Sequence, residues 1–392
     1  MALHPFPRRI SLPVLRYALL AIGSMSTCIV VSCSDKSDES SEEKNPSPTD
    51  SMSSGGASFD GGGGTGAMGG DSSLGSGGTV SAGAGGEGGS SSALDSPPEL
   101  LSATGLYEGD AQTLAAGVRP FEPQFPLWTD GATKERWIFL PEGETIDTSN
   151  MDFWSYPVGT KLWKEFTRDG VRVETRLLQK LEGGRWWMMA YLWREDQSDA
   201  DAVPDGVLNA AGTEHDIPSS LDCATCHARV VDKVLGFTAM QLEAQGTVVS
   251  ESDVTLADLV SEARLSHAPA SLTLPWSAEE NAALGYLHSN CASCHNGFAA
   301  LGRVNMNLYL EADSLGAITE TPTYRTTVGV MNAVPEDAPP AAVHRIVAGS
   351  LSESALFLRM NSRGEEYSMP PLGSEVTDDS GSAAVSAWIE SL

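Results

Sequence analysis

Two copies of one short motif constrain this chain more than anything else in it. Cys223-Ala224-Thr225-Cys226-His227 and Cys291-Ala292-Ser293-Cys294-His295 both read Cys-x-x-Cys-His. Two thiols at that spacing reach the two vinyl groups of one porphyrin, and the following histidine sits under its iron. The motif is therefore the attachment site of a c-type haem. A single copy also arises in redox dithiols and zinc knuckles. Two copies are far more specific, because the chain has only six cysteines and the motifs use four of them. The expectation is two covalently attached haem c groups, with His227 and His295 as iron ligands. A zinc site on Cys223, Cys226 and His227 would need a fourth ligand, and no nearby cysteine or paired histidine supplies one convincingly.

The N-terminus fits export, which haem attachment outside the cytoplasm requires. Arg8, Arg9 and Arg16 form a basic region, followed by an apolar run over residues 17–31. Fifteen residues are short for a membrane span, which needs about 20, but suit a signal peptide. Val30-Val31-Ser32-Cys33 resembles a bacterial lipobox. We expect a signal peptide over 1–32 and lipidation of Cys33; Cys28, after Thr27, is the poorer candidate. Ser34 rather than Asp follows Cys33, which by resemblance to such lipoproteins points to the outer membrane. No cysteine then remains for a structural disulfide. Residues 33–98 read as a disordered tether, since 17 of the 40 glycines lie between residues 55 and 89. Such a segment cannot bury enough apolar area to offset its ordering entropy. The net charge of −28, from 52 acids against 24 bases, argues against nucleic acid and favours a basic redox partner protein.

From residue 99 to 212 the period becomes two. Lys161-Leu162-Trp163-Lys164-Glu165-Phe166 reads as a strand, Asp169-Gly170 as a hairpin turn, and Val171 to Leu178 as the returning strand. Glu182-Gly183-Gly184 turns the chain again, into an apolar strand from Trp186 to Trp193. Trp137-Ile138-Phe139-Leu140 is an earlier strand. The pattern predicts an antiparallel β-rich, sandwich-like domain or open barrel. Seven of the nine tryptophans fall here, as core or as an aromatic platform. Glu165 and Glu174 are expected to face outward.

Residues 213–274 hold the first motif, after an extended Ile217-Pro218 and before a helix expected over 228–235. Its distal iron ligand is open among Met240, His215, His267 and His344, or the iron is five-coordinate. Residues 275–392 are expected to form an all-α class I cytochrome c-like domain, making the whole an α+β, multidomain chain. Ser277 and Glu280 make a capping box for a helix running into Cys291. Asp378-Asp379 caps a last helix with Val385, Trp388, Ile389 and Leu392 on one face. Gly285 would let Trp388 approach closely, and Ser350 with Glu353 would cap another helix, through Met360. Met369, on the Pro-stiffened Ser368-Met369-Pro370-Pro371-Leu372-Gly373 loop, is the expected distal thioether of the second haem; the rival, Met360, reads as core from its helix stripe.

Several segments recur in one order. They are Pro126-Leu127-Trp128-Thr129-Asp130-Gly131-Ala132, Pro157-Val158-Gly159-Thr160 and Glu174-Thr175-Arg176-Leu177-Leu178, then Ile217-Pro218-Ser219, Leu235-Gly236-Phe237, Tyr286-Leu287-His288-Ser289-Asn290 and Met369-Pro370-Pro371-Leu372-Gly373. In these the chain resembles the bacterial cell-envelope diheme c-type cytochromes that carry a β-rich N-terminal half and a C-terminal cytochrome c domain. The resemblance implies haem binding and electron transfer. The other readings are a diheme peroxidase-like enzyme and a surface binding module with structural haem.

Overall fold

The structure is a computed structural model that describes residues 96–109, 111–243, 250, 252–297, 304–333, 339 and 342–392. The expected signal peptide, Cys33 and all but the end of the expected tether lie outside the described residues. No described helix is long and apolar enough to cross a membrane.

The frame is one six-stranded antiparallel meander in the order β1 to β6. Its strands are β1 (Val118–Pro120), β2 (Thr133–Phe139), β3 (Lys161–Arg168), β4 (Val171–Lys180), β5 (Trp186–Trp193) and β6 (Ala200–Ala202). The turn between β3 and β4 needs positive φ at two positions. Asp169 (φ 51°) and Gly170 (φ 82°) supply it, which is why Asp-Gly is the strongest hairpin signal in the chain. The register sets Trp137 beside Trp163 beside Leu177 on one face, and Ile138 beside Leu162 beside Leu178 on the other.

Each face has its own cover, so the expected sandwich or barrel is not there. On one face Trp137, Trp163, Leu177, Tyr191 and Trp193 pack with Leu101 and Leu106. The tryptophans are core: the Trp163 indole donates to Thr104 Oγ1 and that of Trp193 to Thr175 Oγ1. On the other face Ile138 and Leu162 share a core with Phe237, Met240, Leu284, Leu287, Val385 and Trp388.

That shared core also overturns the all-α cytochrome c-like domain. The helices are α1 (Ser220–His227), α2 (Ala239–Leu242), α3 (Leu256–Ser261), α4 (Ala278–Asn290), α5 (Pro322–Thr327), α6 (Ala355–Met360) and α7 (Asp379–Ser391). Only α4 and α7 are long, and their apolar residues close against the sheet rather than over an independent helical core. The described residues all belong to one compact unit.

Local helix signals fare unevenly. The Ser277–Glu280 capping box and the Asp378 cap both form. Ser350 and Glu353 cap nothing; α6 begins at Ala355, and Ser354 Oγ instead donates to Ser350 O (2.6 Å). Residues 228–235 are not an α-helix but contain a short 3-10 turn, because Asp232 and Lys233 take φ of +55° and +64°. α4 does pack on α7, but through Gly381, where the Tyr286 ring occupies the place a Cβ would take. The space left by Gly285 is filled by Phe125, not Trp388.

Glu165 and Glu174 are both buried, against the expectation that they face outward. They sit on opposite faces of the sheet. Glu165 accepts from Tyr107 OH (3.2 Å) and Thr175 Oγ1 (3.3 Å), and burial pushes its pKa to about 7. The folded state thus holds this proton more tightly than the unfolded chain does. Stability falls as pH rises from the ordinary carboxyl value to about 7, and is flat above. Glu165→Gln keeps both acceptor contacts and removes the titration. It is expected to stabilise the fold by about 1–3 kcal/mol at pH 8 and to change little at pH 4. Urea unfolding at the two pH values checks this; an equal effect at both would overturn it.

Candidate functional site

The first motif is carried on α1. Ser219 caps the helix, its Oγ accepting from Asp222 N while Asp222 Oδ2 accepts from Ser219 N (3.1 Å). One helical segment therefore carries Cys223, Cys226 and His227 at i, i+3 and i+4, on a single face. The helix lies against β5. Its start is held by Ser220 N donating to Pro204 O (2.9 Å), after Ile217 has paired with Val207.

His227 Nδ1 lies 2.6 Å from Lys233 O. A carbonyl can only accept, so Nδ1 carries the proton and Nε2 keeps its lone pair. Lys233 O is held in place by its neighbour. The Asp232 carboxylate accepts from Tyr156 N (2.6 Å), Lys180 Nζ (2.5 Å) and Trp186 Nε1 (2.9 Å). This knot fastens the turn to β4 and β5, and it holds Asp232 and Lys233 in the left-handed region.

The second motif follows α4, whose last residue is Asn290. Cys294 N and His295 N both donate to Cys291 O (3.1 and 2.9 Å), and His295 O accepts from Leu308 N (2.7 Å). His295 Nδ1 is buried without a hydrogen-bond partner in the structure. Burial lowers His295 to about 4 and His227 to about 4. Both rings are therefore neutral, the form that can ligate iron.

The fold brings the two motifs into contact. Cys294 Sγ lies 3.9 Å from Thr225 O, the residue before Cys226, so the Cys226 and Cys294 thiols act on one another. The neighbouring Cys226 thiol lowers Cys294 to about 6, and Cys294 raises Cys226. Asn296 Nδ2 donates to Arg229 O (2.9 Å), a second tie between the segments that follow each motif. All four thiols are free.

Cations collect here in a strongly acidic chain. Lys164 and Arg176 act electrostatically on Cys226 and His227, and Arg229, Arg345 and Arg359 act on His295. The Arg176 guanidinium lies over the Phe166 ring (4.4 Å) and binds the buried Glu174 carboxylate, which also meets His215 Nε2 (2.8 Å). Strand alternation had marked Lys164, Arg176 and Glu174 only as polar positions on a strand. Nothing in the sequence shows that the first motif comes close enough to Lys164 and Arg176 to feel their charge.

The other expected ligands are placed as follows. Met369 N donates to Arg359 O (3.0 Å), and Met369 O accepts from Arg363 Nη1 (3.3 Å). Among the described residues no hydrogen bond joins Met369 to either motif. Its loop is clamped by Asp130, which accepts from Glu375 N and Val376 N (3.0 and 2.9 Å). Trp128 completes the clamp, donating Nε1 to Val376 O (3.1 Å) and its backbone N–H to Asn290 Oδ1 (2.7 Å). Met240 is buried in the shared core, its Sδ 3.5 Å from Gln124 Nε2. His215 is engaged by Glu174, His267 is exposed, and His344 lies at the bridges to Met331 and Ser354.

Among the described residues no group of three or more His, Cys, Asp and Glu is arranged to hold a metal ion. Cys223, Cys226 and His227 therefore do not converge as a zinc site requires. Thiols for thioether bonds and a separate neutral histidine do not need to converge. The residues present fit covalent haem in that respect and in the tautomer of His227.

No protein-family model, curated protein or solved structure matches this chain. The chemistry has to be read from the site itself.

Proposed function

We propose that the chain is a diheme c-type cytochrome of the bacterial cell envelope that transfers electrons. One haem c is held by Cys223, Cys226 and His227, the other by Cys291, Cys294 and His295. The observation that carries this reading is that two motifs about 70 residues apart in sequence come together, with Cys294 Sγ 3.9 Å from Thr225 O. Whatever is attached to one motif lies beside whatever is attached to the other. Bound haem c supplies a reversible one-electron iron couple. The chain's own residues orient and tune it. Lys233 O fixes the His227 tautomer, so that Nε2 is the ligating atom. Met369 is the proposed distal thioether of the second haem, and a His/Met pair raises the potential relative to His/His. Lipidation of Cys33 tethers the protein at the outer membrane, and its acidity selects a basic redox partner.

The test is haem content, measured as the pyridine haemochrome of denatured protein made in a host with c-type maturation. Two haems per chain are expected, and one in the Cys223→Ala/Cys226→Ala variant. The nearness of Cys226 to Cys294 favours one other reading, a dithiol redox pair. Absence of haem together with a recovered Cys226–Cys294 disulfide would overturn the cytochrome reading in its favour.

A further inference from the structure

A row of cations crosses three adjacent strands on the face that meets the first motif. Arg136 on β2 is directly opposite Lys164 on β3, which is directly opposite Arg176 on β4. Lys134, two residues before Arg136, lies on the same face. Like charges directly opposite one another destabilise a sheet, so something must offset them. Glu122 takes Arg136 (2.7 Å) and Glu174 takes Arg176 (2.5 Å), the latter shared with His215. Lys134 Nζ donates to Leu127 O (2.8 Å), with Asp130 acting on it more weakly. Lys164, the middle cation, has no hydrogen bond or salt bridge among the described residues; the Glu174 carboxylate acts on it only at a distance, and the Phe166 ring lies 5.9 Å away. It is also the cation of the row that acts on both Cys226 and His227 alongside Arg176.

Burial, with Arg136, Arg176 and Lys134 beside it, holds the Lys164 pKa well below the ordinary lysine value, so an ammonium there lacks a close negative charge, and the row acts on Cys223, Cys226 and His227. An anion that arrives with the motif's own ligand would supply that negative charge. Haem carries two propionate carboxylates. Resting on the diheme reading, we propose that the Arg136–Lys164–Arg176 row is a carboxylate-binding site for the propionate edge of the haem attached to Cys223 and Cys226, with Lys164 as its central contact. Held there, the ammonium offsets the propionate charge and favours the reduced iron. The row thereby raises the potential of that haem.

Redox titration of the holoprotein tests this. Haem content is measured first. Lys164→Gln is expected to move one of the two redox steps to lower potential by about tenfold in the reduction equilibrium, or about 59 mV for one electron. The other step stays in place. Lys164→Arg, which keeps the charge, stays close to wild type. Two bound haems with both steps unmoved in Lys164→Gln and in Lys134→Gln would overturn the assignment and leave the diheme reading standing. A wild-type chain without haem would overturn both. A step that moves on adding citrate to wild type, but not to Lys164→Gln, would assign the row to a diffusible polycarboxylate instead and overturn the propionate source.

Discussion

Glu174→Ala is expected to lower the unfolding free energy by about 3–5 kcal/mol at neutral pH, the cost of breaking a buried ion pair from one side. The Glu174 carboxylate is fully buried. It accepts from Arg176 Nε (2.5 Å) and Nη2 (2.9 Å) and meets His215 Nε2 at 2.8 Å. Burial alone would raise its pKa, but Arg176 and His215 outweigh burial and hold it below the ordinary value. Truncation would strand a guanidinium and a buried imidazole at once. Because the folded pKa is depressed, the contribution is present above the ordinary carboxyl pKa and is lost as pH falls through the folded value. The gap between wild type and variant should therefore close in acid. Glu174→Gln, which keeps the shape and an acceptor, should fall between them. Urea unfolding across pH reads all three. A variant with the wild-type midpoint at pH 7 would show that the network does not hold β4 to the segment around His215.

Asp232→Ala should cost about 2–4 kcal/mol, because one truncation removes three hydrogen bonds, one of them to an ammonium. Alanine also tolerates the φ of +55° less well than aspartate does. The consequence reaches the site. Without the knot to Tyr156, Lys180 and Trp186, the turn no longer presents Lys233 O to His227 Nδ1. Thermal unfolding should show the loss, and the yield of haem at the first motif should fall with it. Asp232→Asn keeps an acceptor and a residue suited to that φ, so it should recover part of both. Full haem yield in a destabilised Asp232→Ala would separate the two effects and remove Asp232 from any role at His227.

What was legible beforehand was local. Strands β3, β4 and β5 were readable from alternation, and the hairpin from Asp169-Gly170, because period and turn chemistry act over a few residues. The caps at Ser277 and Asp378 were readable for the same reason. The capping box at Ser219 and Asp222 is equally local and was available in principle; it marks α1, on which the first motif sits. Ser350 and Glu353 show the limit. Their spacing suits a cap, but Ser354 Oγ takes the Ser350 carbonyl, and the helix begins later.

The partners of each face were not legible. Alternation says that Arg136, Lys164, Arg176 and Glu174 are polar positions on their strands, but not that Lys164 and Arg176 come close enough to the first motif to act on it. The same blindness turned one sheet with two different covers into an expected sandwich. It also turned helices that share a core with Ile138 and Leu162 into an expected separate cytochrome domain. Gly285 promised a close approach, yet its neighbour is Phe125, 160 residues away in sequence.

By itself, then, the sequence determined the reactive groups and their local spacing: two thiols and a histidine in each motif, on or just after a helix. Tertiary structure alone decided that Cys294 meets the first motif at Thr225, that His227 is oriented through Lys233 and Asp232, and that Lys164, without a salt bridge of its own, acts on that motif. The physical reason is reach. Backbone hydrogen bonding and side-chain period act between near neighbours, whereas burial, charge balance and contact between motifs depend on which distant segments the closing core brings together.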